Sequence, residues 1–393
     1  MIKRQMASEF QRLLGEYPIV TLLGPRQAGK TTLARQVLPE YAYVNLEQPE
    51  IRQFAENDPK AFFAQYADRV ILDEIQRVPQ LLSYIQVLVD EQPDRGRFVL
   101  TGSHQLSLRE AITQSLAGRT AILNLFPFSI AELVDNNWGF ASAEDYIYQG
   151  FLPRIYDQSQ RPTVAYSNYY QTYVERDVRL LINLKDASLF EKFMKLLAGR
   201  VGQLMDATSL AGDVGVSANT IKHWLSVLEA SFIIYKLPPY FENFGKRVIK
   251  TPKYYFVDTG LLSFLLGIES AKQVARDPLI GQMFENLVVM DLVKNLANNG
   301  RLTQLYFYRD SNGLEADLIL PNARQLIPFE IKSSHTYKPE LLKGLLRVQE
   351  LSSVFINPHL IYAGENYTLS NGVKVRRFDQ LNELLHQLQN ANE

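Results

Sequence analysis

The chain predicts an α/β fold: a parallel sheet covered by helices, then a helix-rich segment, then a second α/β domain of smaller size. Three observations predict it. Short apolar strands at 20–23, 43–46, 70–72, 98–100 and 122–125 alternate with helical stretches, the pattern of a parallel sheet. Residues 208–230 read as two helices joined by a glycine turn. After Asp277-Pro278, a long helical run precedes strands at 302–309, 314–321 and 325–333, with the turn Asp310-Ser-Asn-Gly313 closing a hairpin.

At 393 residues the chain is too long for one core, and the segments divide it into expected domains 1–140, 141–275 and 276–393. Lys plus Arg number 41 against 42 Asp plus Glu, a net charge of -1, which excludes a wholly basic nucleic-acid binder. Any such contact has to come from local patches. The absence of cysteine excludes disulfides, thiol nucleophiles and Cys-type zinc sites, and suits a reducing cytosol. The basic start Met1-Ile-Lys-Arg-Gln-Met6 leads into an amphipathic pattern (Ile2, Met6, Phe10, Leu13, Leu14), and no apolar run approaches spanning length. The expectation is a cytoplasmic protein with no signal peptide and no membrane segment.

The first strand runs into Gly24-Pro25-Arg26-Gln27-Ala28-Gly29-Lys30-Thr31-Thr32, which fits the phosphate-loop template GxxxxGK[ST] and opens a helix-patterned stretch. Backbone N–H groups of such a loop, with the positive end of the following helix, make a site for the polyphosphate of ATP. Lys30 is placed to reach the β and γ phosphates and the Thr31 hydroxyl to ligate Mg²⁺. The third strand delivers Asp73 and Glu74 to the same sheet edge, Asp73 for the Mg²⁺ shell and Glu74 to orient or deprotonate the attacking water. The fourth strand, expected between those of Asp73 and Lys30, ends in Thr101-Gly102-Ser103. Ser103 either contacts the γ phosphate or the water, or caps a helix at 107–112. Arg119 is either a finger or sensor for transition-state charge, in cis or in trans, or half of a surface ion pair.

The phosphate loop, Asp73-Glu74-Ile75-Gln76, Thr101-Gly102-Ser103 and Leu116-Ala-Gly-Arg119 resemble a widespread family of bacterial and archaeal AAA-type ATPases, in which a P-loop ATPase domain is joined to a C-terminal domain of unknown function. The resemblance continues in Tyr169-Tyr-Gln-Thr-Tyr173-Val-Glu-Arg-Asp177-Val-Arg179, Phe256-Val-Asp258-Thr-Gly260-Leu, Gly281-Gln-Met-Phe-Glu285 and Glu330-Ile-Lys332-Ser-Ser334. Where many relatives carry a Gly-Gly-Tyr-Pro-like element, this chain has Gly150-Phe-Leu-Pro153.

In the middle segment, Tyr146, Tyr166, Tyr169, Tyr170 and Tyr173 are spaced for core packing, and residues 175–179 alternate charge on a solvated or interdomain face. The helix-turn-helix pattern, capped at Ser217, predicts a winged helix: Ile221, Trp224, Leu225 and Leu228 face inward, and Asn219, Lys222, His223 and Ser226 face out. Lys246, Arg247, Lys250 and Lys253 occupy a plausible wing that could meet phosphates. The alternative is a rigid spacer or protein dock.

In the C-terminal domain, Glu315 and Asp317 share one strand face, as do Glu330 and Lys332. Two carboxylates with waters form the hard oxygen cage that Mg²⁺ or Mn²⁺ prefers, Glu285 completes the shell from its helix, and Lys332 positions water or offsets charge. This set resembles the PD-(D/E)xK nuclease fold, with Asp317 as first acid and Glu330-x-Lys332 as second pair. A surface ion-pair ladder is the alternative. His359 and His386 have no clustered partners and read as structural; residues 341–351 and 378–388 read as covering helices.

The sequence therefore predicts an ATP-binding, ATP-hydrolysing AAA-type protein whose nucleotide cycle controls a nucleic-acid-binding, nuclease-like module, DNA being favoured over RNA and a homo-oligomer or protein partner being possible. The alternative is a nucleotide-dependent switch or scaffold that binds DNA or protein and cleaves nothing.

Overall fold

The computed structural model describes residues 2–103, 112, 114–178, 187–240, 249–370 and 372–390. They pack into two compact units, one made of Met1–Phe128 with Ala230–Phe232 and Ala297–Arg301, the other of Ser129–Glu229, Ile233–Leu296 and Leu302–Glu393.

The first unit is built on β1 (Ile19–Leu23), β2 (Ala42–Asn45), β3 (Val70–Asp73), β4 (Phe98–Gly102) and β5 (Thr120–Asn124), all parallel, in the order β2-β3-β4-β1-β5. Strands β1, β3 and β4 are buried along their whole length, which is why they read as unbroken apolar runs rather than alternating ones. Strand β4 does lie between β1 and β3, with Leu23 opposite Gly102 and Leu72 opposite Leu100. The C-terminal ends of those three strands therefore form one edge. Helix Lys30–Val37 leaves that edge directly after the glycine-containing loop, and helix Met6–Leu14 buries Met6, Phe10 and Leu14 at the spacing its sequence shows.

In the second unit the five tyrosines assigned to packing are all buried. Helix Ala207–Val214 ends at Gly215, and helix Ala218–Ala230 begins where the Ser217 hydroxyl accepts the Thr220 N–H at 3.1 Å. Ile221, Trp224, Leu225 and Leu228 are buried on its inner face, and Asn219, Lys222, His223 and Ser226 are exposed. Antiparallel β6 (Ile234–Leu237) and β7 (Lys253–Phe256) follow. Lys246 and Arg247 lie outside the described residues, as do most of 107–112 and Arg179.

The rest of this unit is a six-stranded sheet, β8 (Tyr306–Arg309), β9 (Glu315–Asn322), β10 (Gln325–Lys332), β11 (His359–Tyr362), β12 (Tyr367–Thr368) and β13 (Lys374–Arg377), in the order β12-β13-β11-β10-β9-β8. The β8–β9 turn is clamped by Asp310, whose Oδ1 accepts the N–H groups of Asn312 at 2.8 Å and Leu314 at 2.9 Å. Helices Lys343–Gln349 and Leu381–Asn390 bury Leu345, Val348, Leu381, Leu384 and Leu385. His359 is fully buried, and that burial lowers its imidazole pKa to about 3, so it is neutral and structural. Among the described residues no helix is long and apolar enough to cross a membrane.

Two segments distant in sequence, Gly150-Phe-Leu-Pro153 and Phe256-Val-Asp258-Thr-Gly260, meet in this unit's core. The buried Asp258 carboxylate accepts from Tyr166 OH at 2.6 Å, Gly260 N–H at 2.9 Å and Phe151 N–H at 3.1 Å, tying the Gly150-Phe-Leu-Pro153 turn to the strand end. Removing the carboxylate leaves the buried Tyr166 O–H and Gly260 N–H unsatisfied, while Phe151 N–H keeps Tyr166 Oη as acceptor at 3.1 Å. Asp258→Ala should therefore lower unfolding free energy by about 3 kcal/mol or more, read by urea unfolding of the whole chain.

Candidate functional site

The loop between β1 and helix Lys30–Val37 is shaped by steric limits. A Cβ on Gly24 would sit 2.0 Å from the Leu125 carbonyl oxygen, so only glycine lets the end of β1 pass so close to the chain leaving β5. Gln27 and Gly29 both take positive φ, 64° and 93°, and such reversals turn successive N–H groups into one concavity. Arg4 holds the loop from outside: its guanidinium donates to the carbonyls of Ala28 and Phe126, both at 2.7 Å.

Lys30 is 5% exposed, and its ammonium donates to the loop's own Gly24 and Pro25 carbonyls at 3.0 and 2.9 Å. Burial lowers its pKa to about 8, with Glu74 and Asp73 acting in the opposite sense. Phosphate oxygens make stronger, charge-assisted bonds than these neutral carbonyls.

Asp73, at the end of β3, gathers hydroxyls from three segments. Thr31 donates to Oδ1 at 2.9 Å and Oδ2 at 3.1 Å, Tyr43 to Oδ2 at 2.7 Å, and Thr101 to Oδ1. Glu74 follows with φ 58°, and its N–H donates to Thr101 Oγ1 at 3.1 Å. The Glu74 carboxylate accepts from Ser103 Oγ at 3.0 Å and from the Gln76 amide. Lys30, Thr31, Asp73, Glu74 and Ser103 thus converge on one edge of the sheet. Pro25, Arg26, Ala28 and Thr32 belong to the same loop, with Arg26 paired to Glu47 at 3.7 Å. Ser103 is engaged with Glu74.

Arg119 lies elsewhere. It immediately precedes β5, whose first residue pairs with Ile19 at the start of β1, so the length of the strand separates its backbone from the start of the phosphate loop by about 20 Å. Its guanidinium grips Asp90 in a two-point ion pair of 2.6 and 2.8 Å. In this position it does not join Lys30 and Glu74 at the phosphate edge. Tyr43 and Arg4 were not singled out by sequence, and Thr101 and Gln76 stood in the family motifs without a role of their own; a threonine two residues before Ser103 was the available signal for Thr101.

In the second unit, Glu285, Glu315, Asp317 and Lys332 do line one cleft, of about 580 Å³, together with Lys253 and Arg309. The expected wing residue Lys253 is corrected here: it is 4% exposed, and its ammonium bridges Glu285 at 3.0 Å and Glu315 at 2.8 Å. Burial alone would lower its pKa, but Glu285, Asp317 and Glu315 outweigh it and raise it. Lys332 likewise bridges Glu330 at 2.6 Å and Asp317 at 3.2 Å. Asp317 also accepts the Ile331 N–H at 2.8 Å, and Glu285 accepts Tyr255 OH at 2.5 Å. Burial, reinforced by Asp317, raises Glu330 to about 7. The expected oxygen cage of Glu285, Asp317 and Glu330 is thus taken up by ammonium groups, and among the described residues no group of three or more His, Asp or Glu side chains is arranged to hold a metal ion.

A parallel sheet carrying a phosphate loop, with a hydroxyl-bound aspartate and a following glutamate at its C-terminal edge, defines a P-loop nucleotide-binding fold of the AAA type. Residues 16–134 match the AAA domain family, residues 280–381 a domain of unknown function (DUF4143), and residues 141–272 a further domain of unknown function (DUF8612). An uncharacterised protein of Mycobacterium tuberculosis is 31% identical over 385 residues, covering 96% of this chain and 84% of its own length. One from Methanocaldococcus jannaschii is 24% identical over 404 residues, covering 88% of this chain and 82% of its own. The chain belongs to this family of bacterial and archaeal proteins that join an AAA ATPase domain to a DUF4143 domain. Among solved structures, a Walker-type ATPase of Pyrococcus abyssi matches at 15% identity and TM-score 0.42, covering 67% of this chain and 96% of that one. AMPPCP-bound DnaA from Aquifex aeolicus matches at 14% identity and TM-score 0.28, covering 57% and 85%.

Breaking a buried ion pair from one side leaves an uncompensated charge. Lys253→Met should cost about 3–5 kcal/mol of stability, whereas Lys253→Met with Glu285→Gln and Glu315→Gln together should recover most of it; thermal denaturation of the single and triple variants checks both.

Proposed function

We propose that this chain is a Mg²⁺-dependent ATPase whose nucleotide cycle controls nucleic-acid contact by its helix-turn-helix segment, read as a winged helix, with the C-terminal sheet acting as a nuclease-like recognition fold that does not cut. The observation that carries the ATPase reading is the convergence of Lys30, Thr31, Asp73 and Glu74 at one sheet edge. The donor set there fits Mg²⁺: a carboxylate and a hydroxyl 2.9 Å apart are hard oxygens of the kind that ion takes, with water filling the rest. When bound, the ion would be held by Thr31 and Asp73 and would supply charge neutralisation on the β and γ phosphates. The loop N–H groups orient the triphosphate, Lys30 transfers its hydrogen bonds from carbonyls to phosphate oxygens, and Glu74 takes a proton from the attacking water.

Nucleic-acid contact rests on the exposed row Asn219, Lys222, His223 and Ser226, polar side chains along one helix face near its capped N-terminus. With a net charge of -1 the chain offers no global attraction, so this contact has to be local. The non-cutting reading is favoured by Lys253 and Lys332, whose ammonium groups occupy oxygens of the cleft carboxylates that a metal nuclease needs as ligands. Cleavage of single-stranded DNA, duplex DNA or RNA by the full chain with Mg²⁺ or Mn²⁺, lost in Asp317→Ala while ATPase persists, would overturn it.

Lys30→Ala should abolish tight ATP binding, while Glu74→Gln should keep ATP and slow hydrolysis by on the order of 10² or more; fluorescent-nucleotide titration and phosphate release separate the two. Lys222→Ala with Lys250→Ala should weaken DNA binding whatever the sequence and flatten its salt dependence by about one unit per lost phosphate contact, whereas Asn219→Ala should alter sequence preference. Unchanged isotherms across a salt series would assign the segment to protein docking instead.

A further inference from the structure

Gln76 stands two residues beyond Glu74, in the tight turn Ile75–Arg77. Its amide nitrogen donates to Glu74 Oε2 and to Ser103 Oγ at 3.3 Å, and Ser103 Oγ donates to the same Oε2 at 3.0 Å. An ionised carboxylate only accepts, so chemistry dictates that the nitrogen end of the amide faces Glu74. The other end is then fixed as well. That oxygen, Gln76 Oε1, is shielded from solvent and has no hydrogen-bond partner among the described residues. Buried amide oxygens are normally satisfied, and one left over beside a catalytic carboxylate is an acceptor waiting for a donor. The backbone points the same way: Glu74 holds a left-handed conformation (φ 58°), sparsely populated for a residue with a side chain and retained where the surroundings enforce it. Here the enforcement is the Glu74 N–H to Thr101 bond, from the strand that also carries Ser103.

We propose that Gln76 is a second water-orienting residue for ATP hydrolysis, an assignment that rests on the ATPase reading above. The attacking water donates one hydrogen to Gln76 Oε1 and the other to Glu74 Oε1, since Glu74 Oε2 is occupied by Ser103 and Gln76. Two fixed donor directions leave a water lone pair aimed at the γ phosphorus. The water oxygen bonds to that phosphorus as the bond from phosphorus to the β–γ bridging oxygen breaks. The electron pair of that bond leaves with ADP, and the water's proton passes to Glu74. Gln76 changes no charge; it restricts orientation, a contribution felt in turnover and not in nucleotide binding.

The test compares Gln76→Met, which keeps the bulk of the side chain without its polar atoms, with Gln76→Ala, which keeps neither. Both should lower kcat by on the order of 10²-fold while KM, and the affinity for a non-hydrolysable ATP analogue, stay within about twofold of wild type. If Met restores kcat, or if KM and analogue affinity worsen in step with kcat, Gln76 is a packing residue and the proposal is wrong. Wild-type turnover that neither variant changes also overturns the Gln76 assignment alone. A wild-type chain that binds the analogue but shows no turnover overturns the hydrolysis reading, and the assignment falls with it.

Discussion

The Asp73 carboxylate is the constraint on which the nucleotide end of this protein depends. It accepts hydroxyls from Thr31 on the helix after the phosphate loop, Tyr43 on β2 and Thr101 on β4, segments that share no local sequence. One carboxylate has about four acceptor positions, and here three neutral hydroxyls share them. The consequence spreads: Thr101, held by Asp73, in turn accepts the Glu74 N–H, so the glutamate's unusual backbone conformation is set by its neighbour's hydrogen bonds. Loop, strand ends and the Glu74 backbone are thereby tied into one hydrogen-bonded network.

The two carboxylate clusters of this chain are satisfied by different means, and the difference decides what each can do. Asp73 is held by hydroxyls, which leave its negative charge uncancelled and available to a cation. Glu285, Glu315, Asp317 and Glu330 are held by the ammonium groups of Lys253 and Lys332, which offset part of it. Ionised carboxylates buried together repel strongly, and a lysine at their centre is one of the few arrangements that keeps such a cluster folded without metal. The same residue types at strand ends are thus held by hydroxyls in one unit and by ammonium groups in the other.

Much of the fold was legible from the amino-acid pattern. The five parallel strands, the inner and outer faces of helix Ala218–Ala230 and the tyrosine packing follow from periodicity and buried apolar runs, which are local quantities, whereas the expectation of β4 between β1 and β3 comes from the nucleotide-site motifs those strands carry. Lys30, Thr31, Asp73 and Glu74 were likewise legible, because a phosphate loop is a contiguous motif whose chemistry depends on spacing along the chain. Local pattern was not enough for Lys253. In a run of basic residues it reads as a solvent-facing cation, and only its position on β7 beside Glu285 and Glu315 turns it into a buried counter-ion.

The sequence by itself determined the class of domain and the identity of the residues at the phosphate loop, because those rest on short-range steric and hydrogen-bonding rules. Tertiary structure alone decided who partners whom: that Arg119 faces Asp90 and not the phosphate edge, that Gln76 and Ser103 share one oxygen of Glu74, and that lysines fill the carboxylate cleft. Partner choice depends on distances between segments tens to hundreds of residues apart, and charge, burial and pKa are set by those distances. A list of residue types carries the chemical groups but not the separations that make them act.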